Sequence, residues 1–144
     1  MLGKVLAMPS IIYVAFSPTM QEWGSDVGVS KHLYKAGLTD EDPKDAIQEL
    51  NDATYAGQKD WELAGAREVA DMDPETFTAR LAERQKTIDP LYYPKIKGAK
   101  DIVKLEQRKV EANIVIKRTM EGRDSKVPKL TPILMADFVI DSLI

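Results

Sequence analysis

The sequence predicts one small α/β domain of the α+β type, in which a three-stranded antiparallel sheet is flanked by helices, with additional helices towards the C-terminus. The 144 residues, 44% of them hydrophobic, suit a single compact core. Short runs of β-branched and aromatic residues predict strands. Two Asp-Pro pairs, Asp42-Pro43 and Asp73-Pro74, predict helix starts. We therefore expect the order β-β-α-β-α, followed by further helices.

Two strands are predicted near the N-terminus. The run from Ile11 to Phe16 predicts a strand over residues 10–16, ended by Ser17-Pro18. Residues 19–30 contain two glycines and many polar residues, which is typical of a loop or a long hairpin tip. Within that loop we expect Trp23 to fold back on the core rather than stack on a ligand. A second strand, antiparallel to the first, is predicted over residues 32–38.

The first Asp-Pro pair begins the clearest helix. Asp42 can accept hydrogen bonds from free amides of the first turn, and Pro43 needs no donor there. Partial alternation after it predicts a third strand, and the second Asp-Pro pair predicts another helix, with Phe77, Leu81 and Ile88 on one face. The first part of the domain, residues 1–98, is thus predicted to contain a helix over 43–52, a strand over 60–70 and a helix over 74–88.

Residues 99–144 are predicted to be helical and to belong to the same domain. Good helix formers run from Ala99 to Glu121, Gly122 to Ser125 predict a break, and Thr131-Pro132 predicts the start of a last helix. That helix is apolar nearly all round over residues 133–140. Such a helix completes a core more often than it docks on another chain. A protein partner or homodimer through residues 133–140 stays open as the alternative.

The charge of the chain is divided between two segments. Residues 41–89 hold six Lys/Arg and thirteen Asp/Glu, net −7, whereas residues 90–130 hold eleven Lys/Arg and five Asp/Glu, net +6. Charge blocks usually mark solvated faces that pair when folded. The basic block also suits a phosphate backbone, so DNA is an expected partner through residues 95–129. The candidate DNA-binding residues are Lys95, Lys97, Lys100, Lys104 and Arg108.

Several classes of site are excluded or disfavoured by composition. The chain has no cysteine and one histidine, His32, so disulfides and cysteine-ligated zinc are excluded and any metal would need oxygen ligands. The apolar run before Pro9 is too short for a secretory signal or a membrane span. We therefore expect a cytoplasmic protein that does not bind membranes.

Motifs on the two predicted strands carry a family resemblance. Ile12-Tyr13 on the first strand and Lys35-Ala36-Gly37 on the second are followed by a Thr turn and Asp42-Pro43. This arrangement resembles the GIY-YIG nuclease superfamily, and more closely its phage-type branch, whose second motif reads Lys-Ile-Gly. The resemblance covers roughly residues 10–105, and its strongest part is about sixteen residues long.

The resemblance implies a phosphodiester-cleaving chemistry in active members. There, the tyrosines and an arginine act on the attacking water and the scissile phosphate, and a glutamate on a later helix holds one Mg²⁺. By position, Tyr13 matches the tyrosine of the first motif, Lys35 and Gly37 match the second, and Ser10 stands where a leading glycine is usual. Asp42 and Pro43 match its structural helix start.

This chain departs from the family pattern at three polar positions. Ala46 stands where the family places its arginine, and Thr78 and Ala82 stand where the branch usually has Glu and then His. Lys35 and Arg80 are the candidate replacements for the cation. A carboxylate for a metal, if one remains, would be Asp101 or Glu106.

Three functions follow as expectations. The first is a catalytically degenerate GIY-YIG-like domain without a cofactor, which binds DNA or a protein. The second is an active, divergent Mg²⁺-dependent DNA endonuclease with Tyr13 as general base. The third is a phage-type or accessory protein-interaction module, which binds through the acidic region and residues 133–140.

Overall fold

The computed structural model describes residues 10–88, 101–124, 126–127 and 129–144. The predicted features that involve residues 1–9, 89–100 and Ser125 lie outside this range, including the candidate DNA-binding residues Lys95, Lys97 and Lys100. The elements, in chain order, are β1 (Ser10–Phe16), α1 (Pro18–Asp26), β2 (Leu33–Thr39), α2 (Pro43–Asp52), a 3₁₀ turn (Tyr55–Gly57), β3 (Glu62–Val69), α3 (Pro74–Arg84), β4 (Ile102–Lys104), α4 (Gln107–Met120) and α5 (Pro132–Leu143).

An antiparallel sheet with the order β3-β1-β2-β4 organises these elements. The predicted α/β class with flanking helices is confirmed, but the predicted count of three strands is wrong, because the described residues form four. The extra strand, β4, lies in the segment predicted to be helical from residue 99. It pairs with β2, Leu33 opposite Lys104 and Lys35 opposite Ile102. Ile102 and Val103 are both fully buried, on opposite faces of the sheet, and this burial outweighs helix propensity.

The pairing of β1 with β2 places Tyr13 opposite Gly37 and Ala15 opposite Lys35. Because side chains alternate along a strand, all four residues share one face of the sheet. A Cβ atom at residue 37 would lie 2.3 Å from Cζ and 2.4 Å from the hydroxyl oxygen of Tyr13. The end of the Tyr13 ring therefore lies directly over Gly37, and the absent side chain of Gly37 is what makes room for it.

Helix α1 corrects the predicted loop over residues 19–30. Ser17 accepts a hydrogen bond from the Met20 amide at 3.1 Å, and Pro18 occupies the first turn. Ser-Pro thus starts a helix here in the same way as the two Asp-Pro pairs, rather than only ending the preceding strand. Trp23 is partly buried against the core, which confirms that it folds back on the protein.

Helices cover both faces of the sheet and create two apolar layers. The layer under α1 and α2, here the α2 layer, contains Tyr13, Ala15, Met20, Ala46, Ile47, Leu50, Trp61, Ile88 and Ile102 among its buried residues. The layer under α3, α4 and α5, here the α5 layer, contains Ile12, Val14, Tyr34, Ala36, Phe77, Leu81, Val110, Met135, Ala136, Val139, Ile140 and Leu143. The apolar helix over residues 133–140 thus completes the core, which was the more frequent of its two predicted outcomes.

Helix α5 is also held by charge. Asp141 accepts a hydrogen bond from Arg67 on β3 at 2.6 Å and a short one from Lys117 on α4. Burial by itself would raise the pKa of Asp141, but the hydrogen bonds from Lys117 and Arg67 and the charges of the two cations hold it below its usual value. The carboxylate therefore joins three elements in its ionised form.

Helix α3 ends at Arg84, earlier than the predicted boundary at residue 88, because the chain becomes extended at Gln85. The extended chain after the helix runs beside β4. There, the Lys104 amide donates to the Lys86 carbonyl at 2.8 Å, and the Ile88 amide donates to the Ile102 carbonyl at 2.9 Å. Ile88 consequently lies in the α2 layer and does not share the helix face of Phe77 and Leu81, so that prediction is wrong. Within the described chain, each helix is too short or too polar to cross a bilayer.

Candidate functional site

Four side chains, Tyr13, Lys35, Tyr55 and Asp101, form a polar group within the α2 layer, here the Lys35 cluster. The Lys35 ammonium lies 2.7 Å from Oδ2 of Asp101 and donates to the Ala36 carbonyl at 3.3 Å. The lysine side chain is only 7% exposed, whereas the Asp101 side chain is 27% exposed. The pair therefore has one buried partner and one partner that reaches the surface.

Both tyrosine rings contribute to the environment of the ammonium. Nζ of Lys35 lies 5.1 Å from the ring centroids of Tyr13 and Tyr55, within the range of a cation–π interaction. The Tyr55 hydroxyl donates a short hydrogen bond to Oδ1 of Asp101. Burial, followed by the charge of Asp101 and this hydrogen bond, raises the pKa of Tyr55 well above its usual range. Tyr55 thus remains a protonated donor, and each carboxylate oxygen already has one donor.

The turn after α2 positions Tyr55. Thr54 and Ala56, on either side of it, both have left-handed backbone angles, with φ of 51° and 52°. The Tyr55 ring packs edge-on against Trp61, whose indole N–H donates to the Tyr55 carbonyl at 3.0 Å. Asn51 fixes Trp61 in turn by accepting from its amide at 2.7 Å. Sequence reasoning missed Tyr55, because the position follows a helix and belongs to no recognisable motif.

The structure brings together three of the sequence-predicted site residues. Tyr13 on β1, Lys35 on β2 and Asp101 just before β4 meet in the Lys35 cluster. The other two candidates make different contacts: Arg80 donates to the Leu143 carbonyl at the end of α5 at 3.0 Å, and Glu106 accepts from Lys86 at 2.9 Å.

A cleft of about 320 Å³ opens beside the cluster, here the Asp101 cleft. It contains Thr78 and Ala82, the two helix positions where the resembled branch usually carries Glu and His. Ala46, which stands at the arginine position, is instead buried in the α2 layer. The described residues that line the cleft are Tyr55, Phe77, Thr78, Leu81, Ala82, Thr87 and Asp101.

The residues present do not fit a magnesium ion. Mg²⁺ needs near-octahedral oxygen ligands, and the described residues contain no group of three or more His, Asp or Glu side chains that could hold a metal. Among the described residues, Asp101 is the one carboxylate that lines the cleft, and the Lys35 ammonium lies 2.7 Å from it. A second cation at that carboxylate would be repelled at short range.

A larger groove of about 650 Å³, here the basic groove, lies next to the Asp101 cleft. Its lining includes four cations, Arg84, Lys86, Lys104 and Lys109, and two carboxylates, Glu83 and Glu106. The hydrogen bond from Lys86, then the charges of Lys109 and Lys86, lower the pKa of Glu106. Of the predicted DNA-binding residues, Lys104 lines this groove, and Arg108 is exposed on the adjoining helix α4.

An acidic depression of about 660 Å³ lies elsewhere, lined among others by Asp40, Glu41, Glu49 and Asp71. Partial desolvation raises the pKa of Glu41 above its usual value, and a hydrogen bond with Glu49 and repulsion from neighbouring carboxylates act in the same direction. This surface belongs to the acidic segment of the sequence and has the opposite sign to the basic groove.

Comparison of the chain with protein-family models, with curated proteins and with solved structures gives no match. The resemblance to GIY-YIG nucleases therefore depends on the residues of this chain alone.

Proposed function

We propose that this chain is a catalytically inactive domain of the GIY-YIG nuclease type, which acts in the cytoplasm by binding DNA. The observation that carries the proposal is the ion pair between Lys35 and Asp101. The only matched cation of the motif and the nearest candidate metal ligand neutralise each other, and Tyr55 takes the other carboxylate oxygen. A group that is already paired in this way offers little charge to a scissile phosphate.

Phosphodiester cleavage needs positive charge where negative charge develops in the transition state. The loss of one such donor typically lowers the rate by about 10²–10³-fold, about 2.7–4 kcal/mol. In this chain, alanine replaces the arginine at residue 46, and residues 78 and 82 carry no ionisable group. Several losses of this size would remove useful catalysis while leaving the fold intact.

The basic groove supports DNA as the partner. Lys104 has no carboxylate within ion-pair distance among the described residues, and four cations line the groove against two carboxylates. Phosphate contacts from such a surface dominate non-specific affinity for DNA. The sign of the groove also agrees with the net charge of +6 over residues 90–130.

The test of inactivity is a plasmid-nicking assay with Mg²⁺ or Mn²⁺, with wild-type protein and Tyr13→Phe compared side by side. We expect no metal-dependent nicking from either protein. Nicking by the wild-type protein that Tyr13→Phe abolishes would refute the proposal, because the first-motif tyrosine would then be catalytic.

The active-nuclease alternative is favoured by one observation, the meeting of Tyr13, Lys35 and Asp101 beside an open cleft. It requires that substrate or metal binding separates the Lys35–Asp101 pair. Calorimetric titration with Mg²⁺ distinguishes the two functions: millimolar binding that Asp101→Asn removes would support the nuclease, whereas absence of binding supports the inactive domain.

The protein-interaction alternative is favoured by the acidic depression around Glu41 and Glu49. A partner or homodimer through residues 133–140 has less support, because five residues of α5 are already buried in the core. The discriminating measurement is DNA binding as a function of salt. Phosphate contacts weaken steeply as salt rises, and a lack of DNA affinity at low salt would favour a protein partner.

A further inference from the structure

The Asp101 cleft and the basic groove adjoin each other, because Ala82 and Thr87 line both. We propose that this joined surface binds single-stranded DNA, with phosphates in the groove and one unstacked base in the cleft. The base would be one with an exocyclic amino group. This inference rests on the proposed DNA-binding function and adds to it the form of the strand and the class of base.

The cleft has the composition of a base-binding pocket. Tyr55, Phe77 and Leu81 give it an aromatic and apolar lining, and Asp101 gives it one carboxylate. Its volume of about 320 Å³ lies at the lower end of the range of small-ligand sites, about 300–1,000 Å³. Single-stranded nucleic acid is commonly held by stacking bases on aromatic side chains beside a positive groove.

Asp101 selects for a donor on the base. An ionised carboxylate has about four lone-pair positions, and Lys35 and Tyr55 each donate to one oxygen. The remaining positions can accept only from N–H or O–H groups. The carboxylate is partly exposed, as a ligand contact requires. Cytosine N4, a known partner of Asp and Glu, and adenine N6 provide such donors, whereas thymine presents a carbonyl oxygen at the equivalent position.

The groove provides the positive charge for the backbone. Lys86 and Lys109 share Glu106, at 2.9 and 3.8 Å, so their combined charge exceeds that of the carboxylate. Arg84 donates to the carbonyl of Ser142 at 2.9 Å, which is a neutral acceptor. Together with Lys104, these residues leave the groove with an excess of positive charge beside the entrance to the cleft.

A single strand fits this surface better than a duplex. In a duplex, the base edges are paired and stacked, and a base must be extruded at a cost before it can enter a pocket. In a single strand, that cost is largely absent and the backbone is flexible enough to place a phosphate and its base at adjoining sites. We therefore expect binding to depend on the bases being present and unpaired.

Fluorescence anisotropy at low salt tests the proposal with four labelled DNAs of about twelve nucleotides, within the usual site size. They are oligo-dC, oligo-dT, an abasic strand of equal length, and the oligo-dC strand paired with its complement. We expect oligo-dC to bind at least roughly five-fold more tightly than the abasic strand, the lower limit for one stacked base. Oligo-dT and the duplex should both bind more weakly than oligo-dC.

Two pairs of variants separate the cleft from the groove. Thr78→Leu fills the cleft from the exposed face of α3, and Ala79→Leu makes a similar change on the same helix outside it. Thr78→Leu should abolish the difference between oligo-dC and the abasic strand and preserve salt-dependent binding. Lys104→Glu should weaken all strands, whereas the matched control Lys44→Glu, on exposed α2, should not.

Glu106→Gln should have the opposite effect on DNA binding to Lys104→Glu. It removes a negative charge from the groove, so every strand should bind more tightly. Equal binding of oligo-dC and the abasic strand, tighter binding of the duplex, or an unchanged base preference in Thr78→Leu would overturn the cleft proposal and leave DNA binding intact. No binding of any DNA at low salt would overturn the DNA-binding function as well.

Discussion

Asp101→Asn tests whether the Lys35 cluster is a buried ion pair that the fold depends on. The substitution keeps the shape and one oxygen acceptor but leaves the Lys35 ammonium, 7% exposed, without its counter-charge. Removal of one partner of a buried pair typically costs about 3–5 kcal/mol. Because Asp101 is 27% exposed and the asparagine oxygen still accepts, we expect a destabilisation of about 2–4 kcal/mol. This is a large part of a typical domain stability of about 5–15 kcal/mol.

Urea unfolding followed by tryptophan fluorescence measures this loss, since Trp61 is 3% exposed and packs on Tyr55. Lys35→Met is the matched variant. It removes the more buried charge and leaves the carboxylate that can be hydrated, so it should destabilise less than Asp101→Asn. The double variant should recover part of the stability lost in Asp101→Asn. An Asp101→Asn protein within about 0.5 kcal/mol of wild type would refute the reasoning, because surface substitutions have effects of that size.

Three further substitutions test the packing and the charges. Gly37→Ala places a Cβ against the Tyr13 ring and should cost about 1–3 kcal/mol in urea unfolding; an unchanged midpoint would contradict the described packing. The pKa of Glu41 is raised in the fold, so its ionisation lowers the stability of the protein as pH rises. Glu41→Gln should therefore raise the melting temperature at neutral pH. The effect should disappear well below about pH 4, where the carboxyl group is protonated in both the folded and unfolded states. The pKa of Asp141 is lowered in the fold, so the stability that its carboxylate contributes is present at neutral pH and is lost as pH falls. Asp141→Asn should therefore lower the melting temperature at neutral pH and have little effect in strong acid. If either variant changed the melting temperature equally at neutral and at acidic pH, the pKa direction given for that residue would be contradicted.

Local sequence signals predicted a helix correctly where an N-cap residue was followed by an apolar stripe. The helix predicted over residues 43–52 has those bounds in the structure, with Asp42 accepting from the Lys44 amide at 2.9 Å. The first strand, 10–16, is also confirmed. Helix α1 was not predicted, although Ser17-Pro18 is the same type of helix start, because the glycines and polar residues after it are also typical of a loop.

Long-range pairing explains what the sequence did not predict. Strand β4 has three residues, and pairing with β2 on one side and with the extended residues 86–88 on the other makes its conformation favourable. In the candidate site, the motif predicted Tyr13 and Lys35 and left Asp101 and Glu106 as alternatives, whereas the distance of 2.7 Å between Asp101 and Lys35 depends on the fold. Tyr55 reaches the same place through a turn with two left-handed residues, a conformation that single-sequence patterns do not specify.

The burial of α5 against the sheet also constrains the order in which the protein can fold during synthesis. Residues 10–52 already contain most of the α2 layer, so that face of the first two strands can be covered early. The opposite face, with Ile12, Val14 and Ala36, is completed by residues 132–143 and stays only partly covered until the ribosome has made them. A nascent chain that lacks these residues therefore exposes an apolar strand surface, the condition in which aggregation competes with folding. Shielding by chaperones would matter most in that interval.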